Sequence, residues 1–323
     1  MGTKRTTIKD IAREVGLSPN TVSHALRGLP DISEATKKRV EAAAKKLNYI
    51  PNAAASMLRG SPRRRIGVLY SYHRNAFYWN MLFHIHRALS AAGYELMLLH
   101  TKYTADETDI RDACSRMIDG LIGLGDITED GAQIVRTLRV PMVLIGTESK
   151  YEGIDSVYDD NYGGAFLATQ HLIQCGYKNI AGMYLPDDIR NRYLGYEGAC
   201  KKYGLPARTF IVKNNNYYCE TDALLQAFPE TDAVVCYNDF IAFDVLRRLK
   251  DIGRNNMGII GYDALQTVLN FPHRMASIAR DDAFCAKKAV EMLLTRKQNF
   301  DVATQKFMLD MKLVPGFDNI DHA

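Results

Sequence analysis

The six cysteines of this 323-residue chain (Cys114, Cys175, Cys200, Cys219, Cys236 and Cys285) include no close pair. No CxxC occurs and no Cys/His spacing suits zinc, which excludes a disulfide framework and a zinc-finger module. The scatter is that of free thiols in a reducing compartment. No apolar run approaches the roughly 20 residues of a membrane span. The first ten residues are polar and charged, unlike a secretory signal. The expected location is therefore cytoplasmic, with no membrane partner. Catalytic signatures are missing too: there is no GxSxG, HExxH or phosphate-cradling GxxxxGK. Gly120, Gly123 and Gly125 are out of step with a dinucleotide loop and read as a strand. His84 and His86, two apart on a predicted helix, point away from each other and make a poor metal pair. No enzymatic activity, cofactor or metal is expected.

What is present is ordinary globular composition, 47% hydrophobic and 24% charged, at a length that suggests two or three domains. The overall charge of +4 conceals an asymmetry. Residues 1–65 carry fourteen basic side chains against five acidic ones, a net +9, which leaves −5 for the rest. A basic head on a mildly acidic body points to a polyanion that meets the head alone. A soluble helix surface would also carry such charge, so the pattern of residues must decide.

That pattern begins at Thr7-Ile8-Lys9-Asp10, spaced as a capping box. Ile11, Ala12 and Val15 follow at helical spacing, and Gly16 supplies a stop. Ser18-Pro19 is a second N-cap with proline at the first helical position. That helix runs through Val22, Ala25 and Leu26 towards Gly28. Two short helices joined by a tight glycine turn form a helix-turn-helix. Ser33 opens a third helix, whose stripe Val40, Ala43, Ala44 and Leu47 closes a small core with Ile11, Val15, Leu17, Val22 and Ala25.

The stretches TIKDIAREVGLSPNTVSHAL (7–26) and ISEATKKRVEAAAKKLNYIPNAAASMLRG (32–60) resemble the head of the LacI/GalR family of bacterial regulators. The resemblance implies that Pro19, Asn20 and His24, on the leading end of the second helix, face base edges in the major groove. Thr21 and Ser23 then match positions that touch phosphate. Asn20 suits adenine, which offers one acceptor and one donor there. His24 stands where the family usually has arginine; it offers one hydrogen bond at a time, and a plain surface histidine is its alternative reading. Residues 51–65 match the family hinge. Asn52 corresponds to the residue that anchors the hinge helix on DNA, and Leu58 to the leucine wedged into the minor groove. A linker with Leu58 packed on the body is the other reading. A free helix of two turns is marginal in water, so ordering on DNA is expected. Arg63, Arg64 and Arg65 fit either phosphate contacts or a solvated linker.

From residue 66 short apolar runs alternate with amphipathic segments. Strands are expected at 66–70, 95–100, 120–124 and 142–145, with helices at 77–92, 105–117 and 129–138 between them. A second series has strands at 180–185, 210–212, 233–237 and 258–261, with helices at 161–175, 192–203, 220–227 and 239–251. Two successive βαβ series imply two α/β lobes.

The resemblance continues through DNYGGAFLATQHLIQCGYKNIA (160–181), RYLGYEGACKKYGLP (192–206), CYNDFIAFDVLRRL (236–249) and MGIIGYDAL (257–265). It implies a body like the periplasmic sugar-binding proteins, with an effector held between lobes. Arg192, Asn238 and Asp263 match effector-binding positions; Asn75, Phe77 and Tyr78 match an aromatic platform, and Tyr217 lies near another. Such residues follow strand ends, where open α/β sheets bind ligands. The bland readings are an Arg192 pair with Asp187 or Asp188, Asp239 as a helix N-cap, and Phe77 and Tyr78 as core. Gly146 stands where some sugar binders carry Asp, and Ala264 follows Asp263 in place of a second Asp or Asn, so no single member's ligand carries over.

The expected protein is α/β, with an all-α helix-turn-helix head (1–50), a hinge (51–65) and a two-lobed body (66–323). Lobe 1 spans about 66–158 and 281–302, and lobe 2 about 159–280 and 303–323. The expected partners are a near-palindromic double-stranded DNA operator, a small-molecule effector of sugar type, and a second copy of the chain. No heptad tail follows residues 312–317, which favours a dimer. A degenerate pocket governed by a protein partner is the alternative; a solute-binding transport protein fits poorly with the head.

Overall fold

The computed structural model describes residues 6–50, 64–71, 76–102, 104–186, 192–268 and 275–316, leaving aside the side chains of 76 and 77. Two compact units divide between Arg63 and Arg64. The first holds α1 (Ile8–Val15), α2 (Pro19–Leu26) and α3 (Glu34–Lys46). Each begins where its cap dictates. The Thr7 amide and hydroxyl both donate to the Asp10 carboxylate, at 2.9 and 2.7 Å. The Ser18 hydroxyl accepts from the Thr21 amide at 3.0 Å, and Ser33 does the same for Thr36. Gly16 ends α1 in the left-handed region, φ 65°, where a side chain costs energy. The three helices bury Ile11, Ala12, Val22, Ala25, Val40, Ala43 and Ala44. Alanines dominate this list because short helices crossing at close range leave little room for branches.

The second unit contains two six-stranded sheets. The first runs in the order β13 (Lys306–Leu309), β7 (Asp155–Asp159), β6 (Met142–Ile145), β4 (Gly120–Leu124), β1 (Arg65–Ser71), β2 (Glu95–Thr101), and every pairing is parallel. The second runs β14 (Lys312–Val314), β12 (Ala276–Ala279), β11 (Gly258–Tyr262), β10 (Ala233–Cys236), β8 (Ile180–Tyr184), β9 (Arg208–Ile211), parallel except for β14 at its edge. The central strands are buried throughout and apolar along their length, as helices on both faces require. The crossover helices are α4 (Ala76–Ala91), α5 (Glu107–Ser115) and α6 (Glu129–Thr137) in the first lobe. α7 (Asn161–Gln174), α8 (Arg192–Lys202), α9 (Tyr217–Ala227) and α10 (Asp239–Asp251) serve the second. α11 (Asp282–Gln298) returns to the first lobe and buries Cys285, Ala286, Ala289, Val290 and Leu293 there.

Strand β13 pairs with β7 and so belongs to the first sheet. The chain therefore last crosses between lobes after Leu309, not at 303 as the sequence suggested; a four-residue edge strand gives too short a pattern to read. β7, β12 and β14 also went unread: β7 (DSVYD) is bounded by aspartates and carries no apolar run, and β12 and β14 are only four and three residues long. α5 starts at Glu107, not 105, because Thr104–Ala105 pairs with Asp126–Ile127 and Asp106 caps the helix.

Glycines explain one motif of the second lobe. A Cβ at Gly195 would lie 2.1 Å from the Tyr162 carbonyl oxygen, and one at Gly164 would lie 2.3 Å from the Tyr262 hydroxyl. The bare Gly195 lets α8 approach α7, and the bare Gly164 lets α7 lie against Tyr262 of β11.

In the first lobe Arg296 of α11 is fully buried. Its Nε and Nη2 donate to the two oxygens of Asp155 at 2.7 and 2.6 Å, and its remaining N–H groups reach the carbonyls of Phe300, Val302 and Ala303. Asp155 also accepts from the Gln305 amide. This cation folds the 299–305 loop back so that β13 can join β7. Asp155→Ala strands the buried guanidinium, and the expected loss is about 3–5 kcal/mol in urea unfolding of the body. Replacing both partners with apolar residues of similar volume should recover most of it.

Candidate functional site

The leading end of α2 carries the expected DNA-facing residues. Pro19 and Asn20 are exposed; Thr21, Ser23 and His24 are half-buried. The Thr21 hydroxyl is within 2.8 Å of Ser18 Oγ. The Ser23 carbonyl accepts from Arg27 Nε. Asn20 and His24, four apart, share one helix face. His24 Nδ1 lies 2.7 Å from an Asp31 carboxylate oxygen. This hydrogen bond holds the Asp31 carboxyl below its ordinary range. Asn52 and Leu58 lie outside the described residues.

In the body, the second sheet reverses its winding between β8 and β10, and a ligand crevice opens at such a switch point. Arg192, the first residue of α8, follows β8; Asn238 follows β10. Arg192 bridges the gap: Nη1 donates to the Tyr237 carbonyl at 2.6 Å and Nε to Asn161 Oδ1 at 2.8 Å. Its guanidinium lies 3.6 Å from the ring centre of Tyr262 and 4.6 Å from that of Tyr237. Asp263, next after β11, stands 3.7 Å from Arg192 Nη2. Two residues that the sequence singled out separately thus face each other. Asp187 and Asp188 lie outside the described residues.

Asp263 and Ala264 both have positive φ, 95° and 47°. Neither is glycine, so this backbone is strained. Three successive amides hold it: Asp263 N–H donates to the Ile278 carbonyl at 2.7 Å, Ala264 N–H to Ser277 Oγ at 3.0 Å, and Leu265 N–H to Asp239 Oδ2 at 2.6 Å. Ser277 in turn donates its hydroxyl to Asp239 Oδ1 at 2.7 Å. The N-cap of α10 is Asn238, whose Oδ1 accepts from the Ile241 amide. Asp239 is therefore not the cap expected from the sequence. It is a buried positioning residue that aims Asp263, and Gly261 is bare because a Cβ there would meet the Asp239 carboxylate.

Beside Asp263 lies a small, water-sized recess, lined by Asp159, Arg280, Asp282 and Met311. Arg280 Nη1 donates to both oxygens of Asp159 at 2.9 Å, and its Nε to Asp282 at 2.8 Å. Asn80 of α4 donates to the other Asp282 oxygen. The sequence did not mark Asp159, Asn161 or Arg280, and suggested Asp239 only as a cap; Asp159 and Arg280 lie 121 positions apart and share no motif. Tyr78 packs half-buried against the first-lobe core, and Tyr217 against that of the second. Asn75 lies outside the described residues, and of Phe77 only the helical backbone is described. Gly146 has φ 86°, a conformation that disfavours the Asp that some sugar-binding members carry there. Among the described residues no His, Cys, Asp or Glu cluster could hold a metal ion, and no helix is long and apolar enough to cross a membrane.

Burial pushes Asp263 up to about 6, against the opposing pull of Arg192 and Arg280. Burial, reinforced by the Asp263 charge, pushes Asp239 up to about 8. At neutral pH Asp263 is chiefly ionised and able to accept hydrogen bonds, whereas much of Asp239 keeps its proton.

Helices that present polar side chains to a groove, ahead of a two-lobed crevice with a guanidinium facing a carboxylate, define an effector-responsive DNA-binding regulator. Residues 7–52 match the family of bacterial regulatory proteins of lacI type, and residues 63–294 match the periplasmic binding proteins and sugar-binding domain of the LacI family. The chain belongs to the LacI family. A relative, the HTH-type transcriptional repressor PurR of Vibrio atlanticus, is 28% identical over 95% of this chain and 97% of its own. Among solved structures, a lac repressor dimer bound to operator and the anti-inducer ONPF shares the fold at TM-score 0.84, with 23% identity over 97% of this chain and 98% of that one. A CelR–cellobiose complex matches at 0.67, with 23% identity over 97% and 99%. A ribose-bound LacI-family regulator from Enterococcus faecium matches at 0.70, with 22% identity over 78% and 97%.

The raised acids make a pH prediction. Between pH about 4 and 8 the native state holds a proton on Asp239 that the unfolded chain has released, so stability falls as pH rises through this window. Asp239→Asn mimics the protonated form and removes that titration. Urea unfolding at pH 5 and 8.5 should show a smaller decline for the variant than for the parent; equal declines would falsify the assignment.

Proposed function

We propose that this protein is a homodimeric transcriptional repressor that binds a near-palindromic operator and is controlled by a small polar effector, a sugar or sugar derivative, held between its lobes. The observation that carries the effector half is the Arg192–Asp263 pair beyond the ends of β8 and β11, backed by the strained and triply held loop. Such strain persists where a fixed geometry is useful. A fork of donors facing a carboxylate acceptor, over the faces of Tyr237 and Tyr262, suits a ring bearing several hydroxyls. The sugar-bound relatives support the class, and the PurR relatives support the repressor role. The protein acts in the cytoplasm, where its DNA partner is, and performs no catalysis. Asn52 and Leu58 complete the interface as anchor and minor-groove wedge. Effector binding shifts operator affinity to the extent that it favours one lobe arrangement over another.

Selection of bound sequences from random DNA, with and without sugars found to raise the melting temperature, tests the reading directly. A half-site consensus repeated about a two-fold centre is the expected result; failure to enrich any sequence would reject operator recognition. Asn20→Ala should cost about 1–3 kcal/mol at one base pair and relax the preference there. Affinity should fall steeply with salt as phosphate contacts release counterions, and a flat response would overturn the role of the basic head. Leu58→Ala should reduce DNA bending in a circular-permutation gel shift while leaving the melting of the body unchanged.

A further inference from the structure

His24 sits on the same face of α2 as the exposed Asn20, yet half of its ring chemistry is already committed. Nδ1 lies 2.7 Å from Asp31, which stands in the loop between α2 and α3 with its side chain about half exposed. A carboxylate can only accept, so Nδ1 carries the proton of this bond. In a neutral imidazole the other nitrogen is then an acceptor without a hydrogen. That nitrogen, Nε2, has no hydrogen-bond partner among the described residues. Arg27 at the end of α2 also acts on Asp31, and it donates to the Ser23 carbonyl.

We infer that Asp31 is a specificity-determining positioning residue: by accepting the His24 Nδ1 proton it presents Nε2 to the major groove as an acceptor, and so selects a base bearing an exocyclic amino group. This inference rests on the operator-binding role proposed above. Cytosine N4 and adenine N6 are the amino donors on that groove edge, while guanine and thymine offer acceptors there. An arginine at position 24 would donate, and would select guanine. The His24–Asp31 pair thus inverts the hydrogen-bond sense of the position. Asp31 itself touches no base; it sets the tautomer of the residue that does.

The test is selection of bound sequences from random DNA by the full chain at pH 8.5, where an imidazole is neutral, comparing the parent with His24→Ala, Asp31→Ala and Asp31→Asn. The base pair whose preference vanishes in His24→Ala is the one that His24 reads, and the parent should show cytosine or adenine there on one strand. Asp31→Ala frees both tautomers and should shrink the preference about fivefold, the worth of one hydrogen bond. Asp31→Asn keeps a carbonyl acceptor for Nδ1 and should retain the preference, although it lacks the charge. A histidine-labelled nitrogen spectrum of the parent should give an unprotonated signal for Nε2, with the proton on Nδ1. If both Asp31 variants tighten binding uniformly and leave base preference unchanged, Asp31 acts only as a repulsive charge and the inference fails. Guanine as the base read by His24 in the parent overturns it as well. A parent that enriches no sequence overturns operator binding, and this inference with it.

Discussion

Arg280 ties together two of the chain's passages between the lobes. It follows β12, where the chain is about to return to the first lobe, and it grips Asp159, where the chain is about to leave it. Its Nε holds Asp282, which Asn80 of α4 also holds. A buried guanidinium is tolerable only with such compensation. The consequence is a fixed point at the lobe boundary, in the wall of the recess that Asp263 borders. Any rearrangement of the lobes has to turn about this network or break it, and breaking it exposes uncompensated charge in an apolar setting. A pivot of that kind favours a few discrete arrangements over continuous drift, which an effector needs if it is to select between states.

The proposed effector site shows how a fold supplies precision that Arg192 and Asp263 lack on their own. Arg192 and Asp263 are held from behind. Asn161 and the Tyr237 carbonyl orient the guanidinium, and the rings of Tyr262 and Tyr237 lie against it. Asp239 and Ser277 hold the left-handed turn that aims the carboxylate. Hydrogen bonds to buried groups are costly to leave unmade, so this supporting set constrains the loop more firmly than its own sequence could. The head uses the same economy on a smaller scale, since three caps and a cluster of small apolar residues position one exposed helix face.

The sequence made the head legible because its information is local. Caps, a glycine stop and a 3.6-residue stripe each act within a few positions, and the structure places Thr7, Gly16, Ser18 and Ser33 as those signals require. The alternation of apolar runs and helices likewise revealed two α/β lobes, because strands covered on both faces have to be apolar along their length. Arg192, Asn238 and Asp263 were named through motif resemblance. Asp239 was misjudged: a carboxylate at the first turn of a helix looks like a cap, and only the approach of β12 and the 263–265 loop gives it another use.

Sequence alone determined the head helices and most of the body's helices and inner strands, though not α11, β7 or β12, along with which segment carries the positive charge and which side chains could face DNA or a ligand, since each of these is set by neighbours along the chain. Tertiary structure alone decided which lobe β13 joins, that Arg296 closes on Asp155 and Arg280 on Asp159, and that Asp31 commits one nitrogen of His24. The physical reason is the same in every case. A buried charge or a fixed tautomer depends on partners brought together by folding, and nothing in the spacing of the chain marks them as a pair.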